Sequence, residues 1–413
     1  MGQASKVKYR YGHVIAATCF GIQAVGIGTY FSYGVLFNPL IDEFGWSRAS
    51  ISGAASMAFL LMGFLGIGVG RLNDRFGPRI LTTVSGVFFG MGYFLMSGLE
   101  SIWQLYLFFA IIFGIGLSTV DVIALSTIAR WFVRKRGIVT GIVKVGTGAG
   151  QMTFPFLASI LITLYGWRNS CAIIGVAVLI FLVAIAQLLR RDPGSMGLFP
   201  DGDTAPAASG LFSVTDGLFL REALRTRQFW TLCAAKLAIV FCLMTVMVHI
   251  VPFAHEIKVS ATRAASVLST IGGVSMAGRF ISGLAIDRIG SKRVMVFSFV
   301  LLIAGLFWLQ MTTELWMLYL FAIVYGIAHG GFFTSFSPIV AEFFGIKAHG
   351  ALFGITMFCG TFGGAMGPVM AGYVFDITGG YGGAIWICTL VAALGFVMIA
   401  LLKPATGESK TGG

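Results

Sequence analysis

Apolar segments long enough to cross a membrane follow one another along almost the whole 413-residue chain. A bilayer core about 30 Å thick requires roughly 20 mainly apolar residues in each spanning helix. Because the apolar runs are continuous and do not alternate with polar residues, they predict helices and not the strands of a membrane barrel. Twelve spans are predicted, at 11–38, 48–70, 80–98, 102–130, 137–165, 168–189, 229–254, 263–286, 293–311, 315–342, 349–376 and 381–402.

Composition supports lipid as the main solvent, because 57% of the residues are apolar and only 11% are charged. The 56 glycines suit close packing between membrane helices. The glycine-rich run 146–150 lies inside an apolar span, without a preceding strand or a following Lys-Ser/Thr. It therefore predicts helix packing and not nucleotide binding.

The net charge of +12 is distributed very unevenly over the predicted topology. With the N-terminus inside, almost all Lys and Arg residues outside the spans face one side, and only Arg48, Arg168, Lys258 and Arg263 face the other. This asymmetry places both termini in the cytoplasm and explains the basic charge without a nucleic-acid partner.

Chemistry-bearing residues show no enzymatic pattern. The six cysteines all fall within predicted spans without a C-x-x-C pair, and the five histidines have no metal-ligand spacing. We also find no nucleophile-base constellation. The sequence predicts a protein that is not an enzyme and has no cofactor or metal.

Two related halves flank a linker rich in Gly, Pro, Ala and Asp. The predicted organisation is an N-terminal six-helix bundle at 1–190, a cytoplasmic linker at 191–228 and a C-terminal six-helix bundle at 229–413. Within the linker, 215–229 predicts a short helix lying on the lipid surface. The segment 70–79 recurs, 213 positions later, at 283–292. A duplicated six-helix unit of this kind predicts a substrate site at the repeat interface, near the bilayer midplane.

The repeated pattern, G-x-x-x-D-R-x-G-x-R/K, resembles the signature of the major facilitator superfamily. This resemblance implies that the glycines permit close packing, that the Asp caps a neighbouring helix and that the Arg residues hold the cytoplasmic side shut. The conformational-gate residues that it implies are Gly70, Asp74, Arg75, Arg79, Gly283, Asp287 and Arg288.

Three further stretches, 28–48, 130–141 and 221–230, are similar to the bacterial branch that contains monocarboxylate transporters and oxalate:formate-type antiporters. The resemblance implies a monomeric carrier in the bacterial inner membrane, whose partners are a small monocarboxylate anion such as lactate or pyruvate, a proton and the lipid bilayer. It implies proton symport by alternating access. An oxalate/formate-type anion exchanger and a non-transporting membrane sensor remain as alternatives.

The departures from that family concern mechanism. Human monocarboxylate transporters have an Asp four residues before a helix-8 Arg and a Lys in helix 1. Here the helix-8 Arg is Arg279, the Asp position holds Ser275, and helix 1 has no Lys. The position of the oxalate transporter's second cation on helix 11 holds Met357, which argues against dicarboxylates.

Four ionisable residues lie deep in predicted spans, where each costs at least a few kcal/mol. Asp121, Lys144 and Arg279 each lie about 12–13 Å from the charged cytoplasmic end of their helix, so they share one depth. Asp121 and Lys144 could form a static ion pair that fixes packing, or a pair that the substrate opens for proton coupling. Lys236 is nearer the surface, and we expect it to reach the cytoplasm.

Arg279 is the leading candidate for the substrate carboxylate, because a planar guanidinium forms two parallel hydrogen bonds with that group. The predicted helix around it contains no acidic residue. The candidate proton-coupling residues are Asp121 and His249, although His249 could equally be a satisfied packing residue. The candidate substrate-binding residues are Arg279, Lys144, Phe332, Phe358, Gln23 and Ile27.

Overall fold

A computed structural model describes residues 11–202 and 217–403, and the helical architecture predicted from the sequence is confirmed within them. Eleven helical runs there have the length and composition of membrane spans. The longest, Arg136–Ala186, is interrupted at Gly166, whose backbone (φ 75°, ψ 162°) is not helical. Counting its two parts separately gives the twelve predicted spans.

The twelve helices are numbered in chain order. They are α1 Tyr11–Ser32, α2 Arg48–Phe76, α3 Pro78–Met96, α4 Ile102–Trp131, α5 136–165, α6 167–186, α7 Arg227–Glu256, α8 Ala261–Ile289, α9 Ser291–Gln310, α10 Leu315–Phe344, α11 His349–Thr378 and α12 Gly382–Leu401.

The repeated motif has the same backbone conformation in both copies. Gly77 ends α2 with φ 83°, and Gly290 ends α8 with φ 85°. Positive φ is readily accessible only to glycine, so both turns depend on that residue type. Pro78 then occupies the first position of α3, where its missing N–H is not needed.

The described chain divides into two compact units. Among the described residues, the N-terminal unit comprises 11–133, 143–202 and 346–354, and the C-terminal unit comprises 134–142, 217–345 and 355–403. The first residues of α5 therefore belong to the C-terminal unit and the rest of α5 to the N-terminal unit. For α11 the assignment is reversed.

The N-terminal unit has an aromatic core around Phe109. The ring of Phe109 stacks on Tyr33 at 4.0 Å and on Phe113 at 4.7 Å between centroids, and Tyr93 packs edge-on at 6.1 Å. This part of α4, Tyr106–Phe113, is wound as a π-helix. The wider winding ends about two turns before Asp121.

In the C-terminal unit, α8 and α10 pack backbone against backbone. A Cβ at Gly330 would lie 2.5 Å from the carbonyl oxygen of Ser275 and 2.6 Å from the amide nitrogen of Arg279. Small residues allow this approach. As a consequence, the side chains of Ser275 and Arg279 lie directly beside α10.

The linker differs from the sequence prediction. In place of one helix over 215–229, the structure has a four-residue helix, Leu220–Ala223, before α7 begins at Arg227. The N–H of Leu218 donates to the carbonyl oxygen of Phe344 (3.0 Å), which ties the segment to the end of α10. Residues 203–216 of the predicted linker lie outside the described residues.

Candidate functional site

Four polar side chains of the N-terminal unit form a chain of hydrogen bonds, here called the Asp121 cluster (Gln23, Asp121, Lys144 and Thr147). Lys144 Nζ lies 2.5 Å from Asp121 Oδ1, and Gln23 Nε2 donates to the same oxygen at 2.7 Å. Thr147 Oγ1 donates to Gln23 Oε1 at 2.7 Å. The cluster brings together three sequence-predicted site residues.

Glycines place α5 close enough to α1 to build this cluster. A Cβ at Gly150 would lie 1.9 Å from the carbonyl oxygen of Ala24, and one at Gly146 would lie 2.6 Å from that of Phe20. The glycine-rich run of α5 thus serves helix packing. Ile27, one turn beyond Gln23 on α1, is half-buried.

Two cations of the C-terminal unit share one aromatic ring. The guanidinium carbon of Arg279 lies 5.5 Å from the centroid of Phe333, and Lys236 Nζ lies 5.5 Å from the same centroid. Lys236 Nζ is also 4.3 Å from the centroid of Phe336. Such distances are those of cation–π contacts. We call Lys236, Arg279, Phe333 and Phe336 the two-cation cluster.

Ser275 and His329 extend the two-cation cluster. Ser275 Oγ and His329 Nδ1 are 2.7 Å apart, and the ring of His329 lies 4.8 Å from that of Phe333. Ser275 is one turn from Arg279 on α8, and His329 is one turn from Phe333 on α10. Residues four apart share a helix face. His329 was not among the residues predicted from the sequence, because α10 is apolar on all sides and its period marks no ligand-facing side.

Lys236 was expected to reach the cytoplasmic surface, but its side chain is buried. Only 3% of the residue is exposed, and its ammonium group is held by the Phe336 and Phe333 rings. The ring pair provides a local alternative to water, so the side chain turns inward.

Phe332 takes a different place from the one expected for a substrate-binding residue. Its ring packs edge-on against Phe299 of α9 at 4.8 Å and is 1% exposed. The next residue, Phe333, is the one that contacts Arg279 and Lys236. One residue turns a helix face by about 100°, which accounts for the difference. Phe358 on α11 is half-buried.

His249 is held at both ring nitrogens within the C-terminal unit. Nε2 lies 2.9 Å from the carbonyl oxygen of Pro368, and Nδ1 lies 3.2 Å from the hydroxyl of Tyr381. A carbonyl oxygen only accepts, so Nε2 carries a proton and donates to Pro368, and Nδ1 shares a hydrogen bond with the Tyr381 hydroxyl. An apolar cavity beside His249 is lined by residues that include Ile250, Phe253 and Leu306.

The two motif aspartates each bind the first turn of a helix. In the N-terminal unit, Asp74 pairs with Arg130 and accepts the N–H of Ala351 (3.2 Å). In the C-terminal unit, Asp287 accepts the N–H groups of Gly137 (2.6 Å) and Ile138 (2.9 Å). A carboxylate there satisfies free amide groups and suits the positive end of the helix dipole.

The motif glycines lie in close contacts between helices, whereas the motif arginines are exposed. A Cβ at Gly70 would lie 2.2 Å from the carbonyl oxygen of Gly350, and one at Gly283 would lie 2.7 Å from that of Gly137. The Arg residues are exposed: Arg75 stacks on Phe76, Arg79 donates to Gln187 (2.8 Å), and Arg288 faces outward.

No metal site is visible in the part of the chain that the structure describes, where no three His, Cys, Asp or Glu side chains come together. All six cysteines are free thiols, and five of them are buried.

Relatives of known type match nearly the whole chain. Human monocarboxylate transporter 7 is 22% identical over 451 residues, covering 95% of this chain and 86% of the relative. The oxalate:formate antiporter of Oxalobacter formigenes is 26% identical over 395 residues, covering 92% of this chain and 89% of the relative.

Solved structures share the fold. The human organic anion transporter MFSD10 (TETRAN) superposes with a TM-score of 0.74 at 14% identity, over 94% of this chain and 99% of that one. The transporter FucP in the outward conformation gives 0.72 at 15% identity, over 95% and 100%. The family model of the Major Facilitator Superfamily matches residues 18–283 and 241–412. The chain therefore belongs to the Major Facilitator Superfamily.

Proposed function

We propose that this protein is a proton-coupled transporter of a small monocarboxylate of the lactate or pyruvate class. It works by alternating access in a bacterial inner membrane, with both termini cytoplasmic. The observation that carries the proposal is Arg279, which is buried to 5% exposure beside the ring of Phe333. Similarity to transporters of monocarboxylate and oxalate:formate type supports the substrate class.

The surroundings of Arg279 suit an anion with one charge and a small apolar body. The guanidinium can bind a carboxylate through two parallel N–H···O bonds, and phenyl rings can cover the rest of the molecule. Phe333 supplies such a wall, and Phe358 remains a candidate for another. Met357, beside Phe358, adds no positive charge on α11.

The Asp121 cluster supports the proposed proton coupling. Asp121 Oδ1 takes hydrogen bonds from both Lys144 and Gln23, so the protonation of Asp121 depends on whether Lys144 stays paired. We propose that substrate binding loosens this pair and that Asp121 then takes up the transported proton. His249 is the alternative proton acceptor.

An oxalate/formate-type exchanger is the second candidate function. It is favoured by the 26% identity to the oxalate:formate antiporter, and a pH gradient would not drive it.

The test is substrate binding and uptake by Arg279→Lys in proteoliposomes. Lysine keeps the charge but loses the two-bond geometry, so lactate affinity should fall about tenfold or more. The matched control is Arg263→Lys on the same helix, which exchanges an exposed arginine outside the gate motif. If Arg279→Lys binds and transports like the parent, Arg279 does not bind the carboxylate. Binding without any transport by the parent would identify a sensor.

A further inference from the structure

We propose that Lys236 is the second substrate-binding cation of the two-cation cluster, and that it selects monocarboxylates with an oxygen on C2, the 2-hydroxy and 2-oxo acids. This inference rests on the proposed function, in which Arg279 holds the carboxylate. It adds a residue on α7 that discriminates lactate or pyruvate from an unsubstituted acid of the same length.

The shared ring places both cations at one site. Phe333 lies 5.5 Å from the charge centres of Lys236 and Arg279, so the two charges are at most twice that distance apart. They come from different helices, α7 and α8, and Phe333 comes from a third, α10. The proposed acid lies between these two charges, beside Phe333.

The neighbouring helix leaves room for the lysine stem. A Cβ at Gly360 of α11 would lie 3.1 Å from both Cγ and Cε of Lys236. A Cβ at Gly363, one turn on, would lie 2.3 Å from the carbonyl oxygen of Leu237. The close approach of α7 and α11 therefore depends on glycines, and Gly360 leaves space for the lysine stem.

The rings of Phe333 and Phe336 explain why the substrate group that binds Lys236 need not be a second carboxylate. The faces of Phe336 and Phe333 offset part of the ammonium charge. An ammonium group has three N–H donors, and a neutral hydroxyl or carbonyl oxygen accepts one of them well. An acid with one carboxylate and an oxygen on C2 supplies one group for Arg279 and one for Lys236.

The test compares Lys236→Met with the parent in proteoliposomes, using competition by L-lactate, pyruvate, propionate and oxalate. Methionine keeps an apolar stem but removes the charge and the donors. Lactate and pyruvate should bind about tenfold or more weakly, because a hydrogen bond to a charged group is lost. Propionate should change by less than about twofold, and its unchanged binding also shows that the variant is folded.

A second variant covers the case in which Lys236→Met does not fold. Gly360→Ala presses on the lysine stem without removing the charge, and it should weaken lactate more than propionate. Gly272→Ala on α8, where a Cβ meets nothing within 4 Å, is the control.

Three results would overturn the inference. They are an equal loss of affinity of Lys236→Met for all four acids, no loss for any of them, or a loss confined to oxalate. The last result would mean that Lys236 binds a second carboxylate. The outcome is separable from that of the Arg279 proposal. Arg279→Lys should weaken lactate and propionate alike, whereas Lys236→Met should separate them.

Discussion

Replacing Asp121 by Asn tests whether its ion pair with Lys144 is a packing element or part of the coupling mechanism. The two groups are 2.5 Å apart, with side-chain exposures of 14% for Asp121 and 4% for Lys144. Removing one partner of a buried ion pair costs about 3–5 kcal/mol, because the other charge is left buried. We expect Asp121→Asn to lower the free energy of unfolding by an amount near the lower end of this range, because Asn can still accept a hydrogen bond from Gln23.

Stability is measured as the thermal unfolding midpoint in detergent, for the parent, both single variants and the double variant Asp121→Asn/Lys144→Met. The double variant should recover much of the loss, because it contains no unpaired charge. Additive losses in the double variant would refute a direct ion-pair contribution.

Transport by the same Asp121→Asn protein separates the two roles. Asn resembles the protonated carboxyl group, so exchange of labelled lactate should continue while accumulation driven by a pH gradient should fail. Loss of both activities in folded protein would indicate a static ion pair. Normal pH-driven accumulation would exclude Asp121 and leave His249 or the proton of the substrate itself.

Two further changes test the gate motif and the ion pair between Glu43 and Arg168, whose charged groups lie 2.6 Å apart. Gly70→Ala should destabilise the fold by about 1–3 kcal/mol and slow lactate exchange, because its Cβ would lie 2.2 Å from the Gly350 carbonyl oxygen. The control is Gly68→Ala, whose Cβ meets nothing within 4 Å, and it should behave like the parent in unfolding and exchange assays. Hydrogen bonds from Arg168 and Trp167 lower the pKa of Glu43 from its ordinary value of 4.5. The contribution of Glu43 to the stability of the folded state should therefore be complete above about pH 4.5 and vanish as the pH falls through the lowered pKa. The unfolding midpoints of Glu43→Gln and the parent should differ at pH 7 and converge in acid.

Hydropathy and the internal repeat were sufficient to predict the helices and the motif turns. Each span requires a long apolar run in lipid, so its position is marked directly in the sequence. The end of α5 at Gly166 and the turns at Gly77 and Gly290 occur where a glycine was available for positive φ. The Asp121–Lys144 contact also followed from equal helical depth.

Side-chain direction was much less predictable. Helices such as α10 are apolar on all sides, so their 3.6-residue period does not identify the face that meets a ligand. This is why the sequence did not point to Phe333, the ring beside Arg279 and Lys236, or to His329. The inward turn of Lys236 depends on rings contributed by another helix, which no local pattern on α7 records.

The π-wound segment of α4 lets the helix tolerate a change in length before Asp121. Each residue of an α-helix turns the chain by about 100°, and the wider winding turns it by less. Deleting one residue from Tyr106–Phe113 would let the segment wind as a regular α-helix, and the tighter winding would offset most of the turn lost with that residue. The same deletion in the α-helical stretch Gly114–Leu117 would instead rotate Asp121 away from Gln23 and Lys144 by about 100°. The Asp121 cluster should therefore survive the first deletion and not the second.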